Sequence, residues 1–380
     1  MKSILVLAVL SAFSFGSAKI MMPPQMPVDR VVANLEKRLA KNSKDATAHY
    51  LLGRTYYAVF CGTDKKFLRF YGTPEDPQFS REQPSFYEFH ELKPKHDSAT
   101  ISIARKAIHH LKAANSLGGG ELGLYPLTLA CVYEASQSIA SFVQPGANRA
   151  TFRQRALALY QRSFQAARND KHETAQRPMT YEKWISVEAG EAVLRLDPNS
   201  NLKPAIKERL AQLEKLPNGP ITPIIFSVSR YARLGELLDP LKRVQFDLDG
   251  TGAKQIVPWI KPDTALLVWL PDESKPITTG RQLFGSATWW LMPSNGFEAL
   301  KLLDDNANGW IEGKELGALA MWQDANQDGK SAPREVKRLG QVGVTGLRTT
   351  WNSKDGESLV SADGLRLSNG QTLPTYDWVL

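Results

Sequence analysis

Long hydrophobic runs are scarce in this sequence of 380 residues. After the first residues, no segment reaches the ~18 apolar residues that a membrane-spanning helix needs, so we expect no membrane span. The start of the chain is different, with basic Lys2, a short apolar run from Ile4 to Phe15 and small residues from Gly16 to Ala18. This pattern is typical of a secretory signal peptide. We therefore predict a signal peptide over residues 1–18 and an exported protein, either periplasmic or secreted.

Cysteine is nearly absent, with only Cys61 and Cys131 in the chain. No cysteine comes immediately after the predicted cleavage site, which argues against a lipid anchor of the bacterial lipoprotein kind. An oxidising, exported setting would permit the two cysteines to pair. Both also lie in apolar helical patterns, where a free buried thiol is common. The sequence leaves the disulfide open.

Clusters of positive charge are also lacking, although the formal net charge is +8. The basic residues are spread along the chain, with no run of five or more and no stripe of alternating aromatic and basic residues. A nucleic-acid surface concentrates Lys and Arg on one face or along one helix. We therefore expect no nucleic-acid partner.

Short catalytic motifs are missing as well. Neither His109-His110 nor His90-Glu91 belongs to an HExxH zinc pattern, and the chain has no Gly-x-Ser-x-Gly elbow and no phosphate loop of the GxxxxGK[ST] form. We expect a protein that is not an enzyme. A hydrolase without a recognisable motif is the less favoured alternative.

Two halves of different texture make up the rest of the chain. Residues 19–216 repeat apolar positions at spacings of three and four, which predicts helices. Residues 217–380 are punctuated by Gly, Pro, Asp-Gly and Asn-Gly between short apolar segments, which predicts strands and turns with short helices. The boundary is expected at Pro217–Pro220. The predicted fold class is α+β, an all-α domain followed by a mixed, β-rich domain.

Degenerate helical hairpins are expected in the first half. His49, Leu52, Gly53 and Tyr56 have the spacing of the first helix of a tetratricopeptide repeat. Ala107, Leu111 and Ala114 fit the second helix of the same hairpin, after an insertion rich in proline and aromatic residues. This half therefore resembles a degenerate tetratricopeptide-repeat domain. The alternative is a helical domain without repeats.

The clearest chemistry lies in a twelve-residue segment from Asp304 to Glu315, here named loop one. It matches the EF-hand pattern position by position, with Gly309 where the loop must turn sharply. Calcium takes six to eight oxygen ligands at roughly 2.3–2.6 Å, which such a loop supplies by wrapping the ion. The position-7 ligand would be a backbone carbonyl, and the position-9 ligand would act directly or through water. The predicted ligands are Asp304, Asn306, Asn308, the carbonyl of Trp310, Glu312 and Glu315.

A second segment, Asp324 to Glu335 or loop two, repeats this skeleton. Ala332 leaves position 9 to a water molecule, so the second site is expected to be weaker. Pro333 is tolerable in the first turn of a following helix. The alternative for both segments is a pair of polar turns without metal. The predicted ligands of loop two are Asp324, Asn326, Asp328, the carbonyl of Lys330 and Glu335.

The spacing between the two loops limits their arrangement. Only Leu316 to Gln323 separate them, which is too short for two helices and a linker. We expect one short helix to leave loop one and enter loop two. The two loops would then not form the usual face-to-face pair of EF-hands.

Further segments outside the loops carry a family resemblance. They are Phe246–Gly252, Thr264–Trp269, Gly280–Gly285, Asn295–Leu300 and Asp377–Leu380. With the two loops, they make the C-terminal half resemble the EF-hand-type calcium-binding modules of bacterial RTX-related exported proteins. The resemblance implies a calcium-dependent structural or binding domain and brings no catalytic residues.

The chain departs from that family in one segment. Family members often carry another calcium loop just before the Leu-Phe-Gly segment, and here Leu270–Ile277 is one residue short, with Gln282 in place of the closing Glu. We expect no metal there. Asp247, Asp249 and Thr251 could supply a minor oxygen site, but a hairpin turn is the favoured interpretation.

These observations predict an exported, non-catalytic protein that binds Ca²⁺. Calcium would stabilise the C-terminal domain, and the helical half would act as a scaffold for a protein or cell-envelope partner. The alternative is a calcium-dependent glycan-binding protein. Its sugar-stacking faces would come from tryptophans of the second half, which could equally be core residues, namely Trp259, Trp269, Trp289, Trp290 and Trp351.

Overall fold

The computed structural model describes residues 26–61, 94–118, 123–168, 182–213, 221–250 and 254–380. The predicted signal peptide over residues 1–18 and the predicted boundary at Pro217–Pro220 lie outside these residues. Both therefore stay predictions.

The first half is helical, as predicted. Neighbouring helices in sequence pack against each other, α2 on α3, α4 on α6 and α6 on α7 most extensively. Within its described residues this half contains α1 (Val28–Lys41), α2 (Ala46–Phe60), α3 (Ser98–Leu117), α4 (Leu124–Ala135), α5 (Ala140–Val143), α6 (Arg149–Arg168), α7 (Glu182–Leu196) and α8 (Lys203–Leu213).

An N-cap residue and a glycine shape the first helices. Asp45 precedes α2 and accepts a hydrogen bond from the backbone N–H of Ala48 at 2.8 Å, which satisfies one of the free amides of the first turn. Where α2 crosses α3, a Cβ on Gly53 would lie 2.6 Å from the Leu111 Cγ. Gly53 therefore allows the close approach that its spacing predicted.

Within its described residues, the second half is built on a nine-stranded antiparallel sheet and a separate two-stranded ribbon, β2 with β3. The strand order is β5-β8-β10-β11-β1-β4-β6-β7, with β9 paired to β10. The strands are β1 (Ile224–Phe226), β2 (Leu238–Phe246), β3 (Gln255–Ile260), β4 (Ala265–Trp269), β5 (Trp310–Glu312), β6 (Leu319–Trp322), β7 (Val336–Arg338), β8 (Val344–Arg348), β9 (Ser353–Asp355), β10 (Ser358–Leu367) and β11 (Thr372–Asp377), and two short helices, α9 (Leu234–Leu237) and α10 (Gly296–Lys301), accompany them.

Strand β4 is buried on both faces, because each face of the sheet is covered. Its odd members, such as Leu267 and Trp269, join the hydrophobic cluster that also contains the helices of the first half. Leu266 and Val268 point the other way, into a second cluster with residues of the β2–β3 ribbon. The alternation follows the period of two of a strand. Helices and sheet together confirm the predicted α+β class.

The expected helix between the two calcium loops is wrong. Loop one ends in a 3-10 turn, Gly313–Leu316, and the next residues form strand β6. All four residues of β6 are buried, because the strand pairs with β4 on one side and β7 on the other. A four-residue apolar segment satisfies its backbone amides better in such a ladder than in an isolated helical turn. The segment expected to be a helix after Pro333 is likewise a short 3-10 turn, Pro333–Glu335.

The two cysteines are buried, unpaired thiols. Burial raises the pKa of the Cys131 thiol to about 12, so it stays protonated. In the part of the chain that the structure describes, none of the helices has the length and apolar character needed to cross a bilayer.

Candidate calcium site

Loop one curls around the carboxylate of Asp304. One oxygen of Asp304 accepts a hydrogen bond from the Asn308 N–H at 3.1 Å, and the other accepts from the Gly309 N–H at 2.9 Å. The turn requires left-handed backbone at two positions, with φ of 56° at Ala307 and 86° at Gly309. Glycine takes this conformation without strain, as the pattern requires at position 6.

Two amide side chains continue the curl. The Asn306 Oδ1 accepts from the Asn308 N–H at 2.9 Å, and the Asn308 Oδ1 accepts from the Trp310 N–H at 2.8 Å. Each oxygen that lies at a ligand position is thereby held by a backbone amide further along the loop. Asn306 and Asn308 are exposed, at the mouth of the loop.

Glu315 closes loop one. Its Oε1 accepts from the Asp305 and Asn306 N–H groups at 2.8 and 3.3 Å, and its Oε2 accepts from the Glu312 N–H at 3.0 Å. Its side chain, like that of Asp304, is buried, with only 6% of Glu315 and 8% of Asp304 exposed. Two buried carboxylates in one twelve-residue loop suit a bound cation, because buried charges are paired or coordinate metals.

Loop two repeats the hydrogen bonds that hold the curl of loop one. The Asp324 carboxylate accepts from the Asp328 and Gly329 N–H groups at 3.1 and 2.8 Å, as Asp304 does in loop one. The Asn326 Oδ1 accepts from the Asp328 N–H at 3.1 Å, and the Asp328 Oδ1 accepts from the Lys330 N–H at 2.8 Å. The left-handed positions also recur, at Gln327 and Gly329 with φ of 53° and 70°.

The closing Glu of loop two repeats as well. Glu335 is buried, and its Oε2 accepts from the Ala332 N–H at 2.9 Å. This bond joins positions 12 and 9, as the bond from Glu312 to Glu315 does in loop one. Five internal hydrogen bonds therefore recur at matching positions in both loops.

An indole group outside loop two donates a hydrogen bond to its first predicted ligand residue. The Trp259 Nε1–H of β3 donates to the Asp324 Oδ2 at 2.6 Å, inside a cluster where Trp259 packs against Phe246 and Trp322. Burial raises the pKa of Asp324, against the hydrogen bonds from Gly329 and Trp259 that lower it. Asp324 has no exposed surface, so its charge depends on such partners.

Positions 7 and 9 of loop one are tied to the sheet. The guanidinium groups of Arg348 and Arg366 both lie over the Trp310 ring, 4.5 and 3.9 Å from its centre. The Glu312 carboxylate accepts from the Asn308 Nδ2 at 2.9 Å and from the Arg366 guanidinium at 3.1 Å. Glu312 is thus held at the rim of the loop.

The donor set of both loops suits calcium. Among the described residues, no three histidine, cysteine, aspartate or glutamate side chains converge to hold a metal by themselves. Calcium does not require such a cluster, because amide and backbone carbonyl oxygens complete its shell. The all-oxygen donor set and the curled backbone therefore fit this hard cation better than a transition metal.

The two loops adjoin opposite ends of the strand order. Strand β5, which contains positions 7 to 9 of loop one, pairs with β8 at one end of the strand order. Strand β7, which follows loop two, pairs with β6 at the other end. The loops therefore do not pair with each other, as their spacing predicted.

The other acidic segments of this half are engaged by protein groups. Asp272 accepts from the Ser274 N–H at 3.0 Å, and Glu273 pairs with Arg338 at 2.6 Å. In the segment that contains Asp247 and Asp249, Phe246 pairs with Gln255, so the residues between these two connect the strands of a hairpin. Thr251 lies outside the described residues.

Most tryptophans proposed as sugar-stacking faces are core residues. The exposed fraction is 1% for Trp259, 4% for Trp269 and Trp289 and 1% for Trp290, whereas Trp351 is 46% exposed. Among these five, only Trp351 presents a face to solvent.

The sequence did not point to the contacts that reach loop one from the helical half. Arg30, Asn34 and Lys37 of α1 all donate to loop one or to the residues just before it. The Asp305 side chain that Arg30 and Asn34 contact lies between two predicted ligands, and no local pattern marks it. A pair 275 positions apart leaves no signal in one sequence.

The similarity to known proteins that we found lies in the C-terminal half. Residues 236–380 match the model of the SPM domain family. A curated relative, the iron-regulated protein FrpA of Neisseria meningitidis serogroup C, is 29% identical over 145 residues. That match covers 36% of this chain and 13% of the relative, so the chain corresponds to only a small part of that protein.

Proposed function

We propose that this chain is an exported calcium-binding protein in which each loop binds one Ca²⁺ ion. The observation that carries the proposal is the recurrence of five matching hydrogen bonds and two left-handed positions in both loops. A polar turn without metal needs no more than the local bond from an Asn or Asp side chain to the backbone two residues on. Two copies of the whole pattern support a common ligand.

Calcium would be bound by the oxygens that the loops already orient. In loop one these are Asp304, Asn306, Asn308 and Glu315, with Glu312 reached through water from its place at the rim. The ion would supply positive charge to two buried carboxylates, and native-state binding would stabilise the C-terminal half.

Isothermal titration of the full chain with millimolar calcium tests this proposal, because exported sites often bind at about 0.1 to 1 mM. We expect two ions in the wild type and, at calcium concentrations that saturate only an intact loop, one in either Glu315→Gln or Glu335→Gln. Lys314→Gln, an exposed neighbour of Glu315, is the matched control and should keep both. No heat of binding with calcium, or equal stoichiometry in all variants, would refute the proposal.

The helical half is proposed as the interaction scaffold. Its helices stack mainly on their sequence neighbours, which is the arrangement that exposes a long surface in helical-repeat proteins. A pull-down from cell-envelope extract, with calcium and with chelator, should recover a protein partner through residues 26–213. Capture by residues 221–380 alone, or by glycan beads with dependence on Trp351, would favour the glycan alternative instead.

A further inference from the structure

Helix α1 is attached to loop one by a set of polar contacts. The Arg30 Nε–H donates to the Asp305 Oδ1 at 2.7 Å, and the Asn34 Nδ2–H donates to the same oxygen at 2.8 Å. Lys37 donates to the Asp305 backbone carbonyl at 2.7 Å. Three residues on one face of α1 therefore contact the residue that follows the first predicted ligand, Asp304.

The same helix also contacts the two ends of loop one. Arg30 donates to the backbone carbonyl of Leu303, just before the loop, at 2.6 Å, and to that of Glu315, its last residue, at 3.4 Å. Asn34 donates to the carbonyl of Leu302 at 3.0 Å. The Arg30 guanidinium thus contacts both ends of the loop. The two hydrogen bonds form together only when the loop is closed.

Charge strengthens this contact. Arg30 and Asp305 form an ion pair, with 2.7 Å between the Arg30 Nε and the Asp305 Oδ1. Further along α1, Arg38 pairs with Glu298 of α10 at 3.1 Å. Positive groups of α1 therefore face negative groups around loop one.

Loop two has a different environment. Gln327 donates to the Ile260 carbonyl at 2.8 Å and Ser331 accepts from the Ile277 N–H at 2.7 Å, while Trp259 donates to Asp324. These partners all belong to the β-rich half. Loop two is therefore an internal control for any effect of calcium on the helices.

We infer that calcium in loop one fastens helix α1 to the β-rich half. This inference rests on the proposed calcium binding. An ion held by Asp304 and Glu315 closes the loop across which Arg30 bridges, so the closed loop and the docked helix stabilise each other. By linkage, docking of α1 raises the calcium affinity of loop one by the same factor.

Hydrogen exchange of α1 in the full chain tests the inference. In the wild type and in Glu335→Gln, millimolar calcium should slow exchange over Val28–Lys41 by at least about fivefold, the lower end of usual coupling. In Glu315→Gln and Arg30→Ala this effect should be lost. If calcium acts only by raising global stability, Glu335→Gln will weaken the protection as much as Glu315→Gln, and the inference is wrong.

Calcium affinity gives the reciprocal measurement. In a Glu335→Gln background, where only loop one binds, Arg30→Ala should weaken binding by at least about fivefold. Lys37→Ala, a milder surface variant, should act in the same direction, and Lys41→Ala, exposed on the same helix, should have no effect. Unchanged affinity in Arg30→Ala overturns the inference while leaving calcium binding intact. Absence of calcium binding in the wild type overturns both.

Discussion

Loop one and loop two share five internal hydrogen bonds but have different surroundings. Loop one has a helix from the other half of the chain against Asp305. Loop two is attached to the core through Trp259, which donates to the fully buried Asp324. The difference teaches that the twelve residues of such a loop determine its backbone shape. The residues packed around the loop determine which other parts of the fold are coupled to calcium binding.

The largest expected effect concerns the closing residue of loop one. Glu315→Gln should weaken calcium binding by roughly 10- to 100-fold, since a lost charged contact costs about 1.5–3 kcal/mol. Glu312→Gln should cost less than about tenfold, because Glu312 is already engaged by Asn308 and Arg366 and acts through water. Titration calorimetry in a Glu335→Gln background measures both. Equal losses would contradict the assignment of positions 9 and 12.

The next largest effect is expected from removing the indole N–H that donates to Asp324 in loop two. Trp259→Phe keeps an aromatic ring in the core but removes the donor to Asp324, and loss of such an outer-shell partner costs about tenfold or more in metal affinity. The measurement is calcium titration in a Glu315→Gln background. Trp351→Phe makes the same chemical change at an exposed site and should leave affinity unchanged. Equal affinity in the two variants would show that the indole does not position Asp324.

Removing the helical half sharpens the comparison of the two loops. A fragment of residues 217–380 should bind calcium in loop two as the full chain does, and in loop one at least about fivefold more weakly. The fragment also exposes apolar residues that pack against the helices, so its folding requires a circular dichroism check in calcium. Equal weakening of both loops would point to general destabilisation, and a fragment unstructured in calcium would show that the predicted boundary is wrong.

A buried carboxylate outside both loops should have the smallest effect. Burial raises the pKa of Asp377 to about 8, although the Gly296 N–H donates to it at 2.9 Å. The folded state therefore binds this proton more tightly than the unfolded state, so its contribution to stability is full below about pH 4 and is lost as pH rises through 8.

Asp377→Asn should accordingly raise Tm at pH 9 by a few degrees relative to the wild type, and by less at pH 5. About 1 kcal/mol shifts Tm by roughly 2–4 °C in a domain of this size. Thermal melts in chelator remove any contribution of the calcium loops. Asp355→Asn, on an exposed strand residue, is the control. A shift independent of pH would show that the Asp377 carboxyl is not the group responsible.

Some of the fold was accessible from the sequence because it depends on local periodicity. The helical pattern of the first half and the turn-rich second half predicted the α+β class, and Gly53 predicted the close crossing of two helices. The prediction failed at Leu319–Trp322, whose four apolar residues suit a helix or a strand equally. Pairing with β4 and β7 decided the outcome in favour of a strand. The four residues of β6 by themselves do not show which strands they will pair with.

The sequence by itself determined the two candidate calcium loops, because their turns, glycine positions and internal hydrogen bonds all form within twelve residues. Only the tertiary structure decided what surrounds them: the strand between them, the indole against Asp324 and the helix against Asp305. The last two contacts join residues 65 and 275 positions apart, and such pairs form only when the whole chain has packed. Their energies depend on burial and on charge brought together by the fold, which no local pattern specifies.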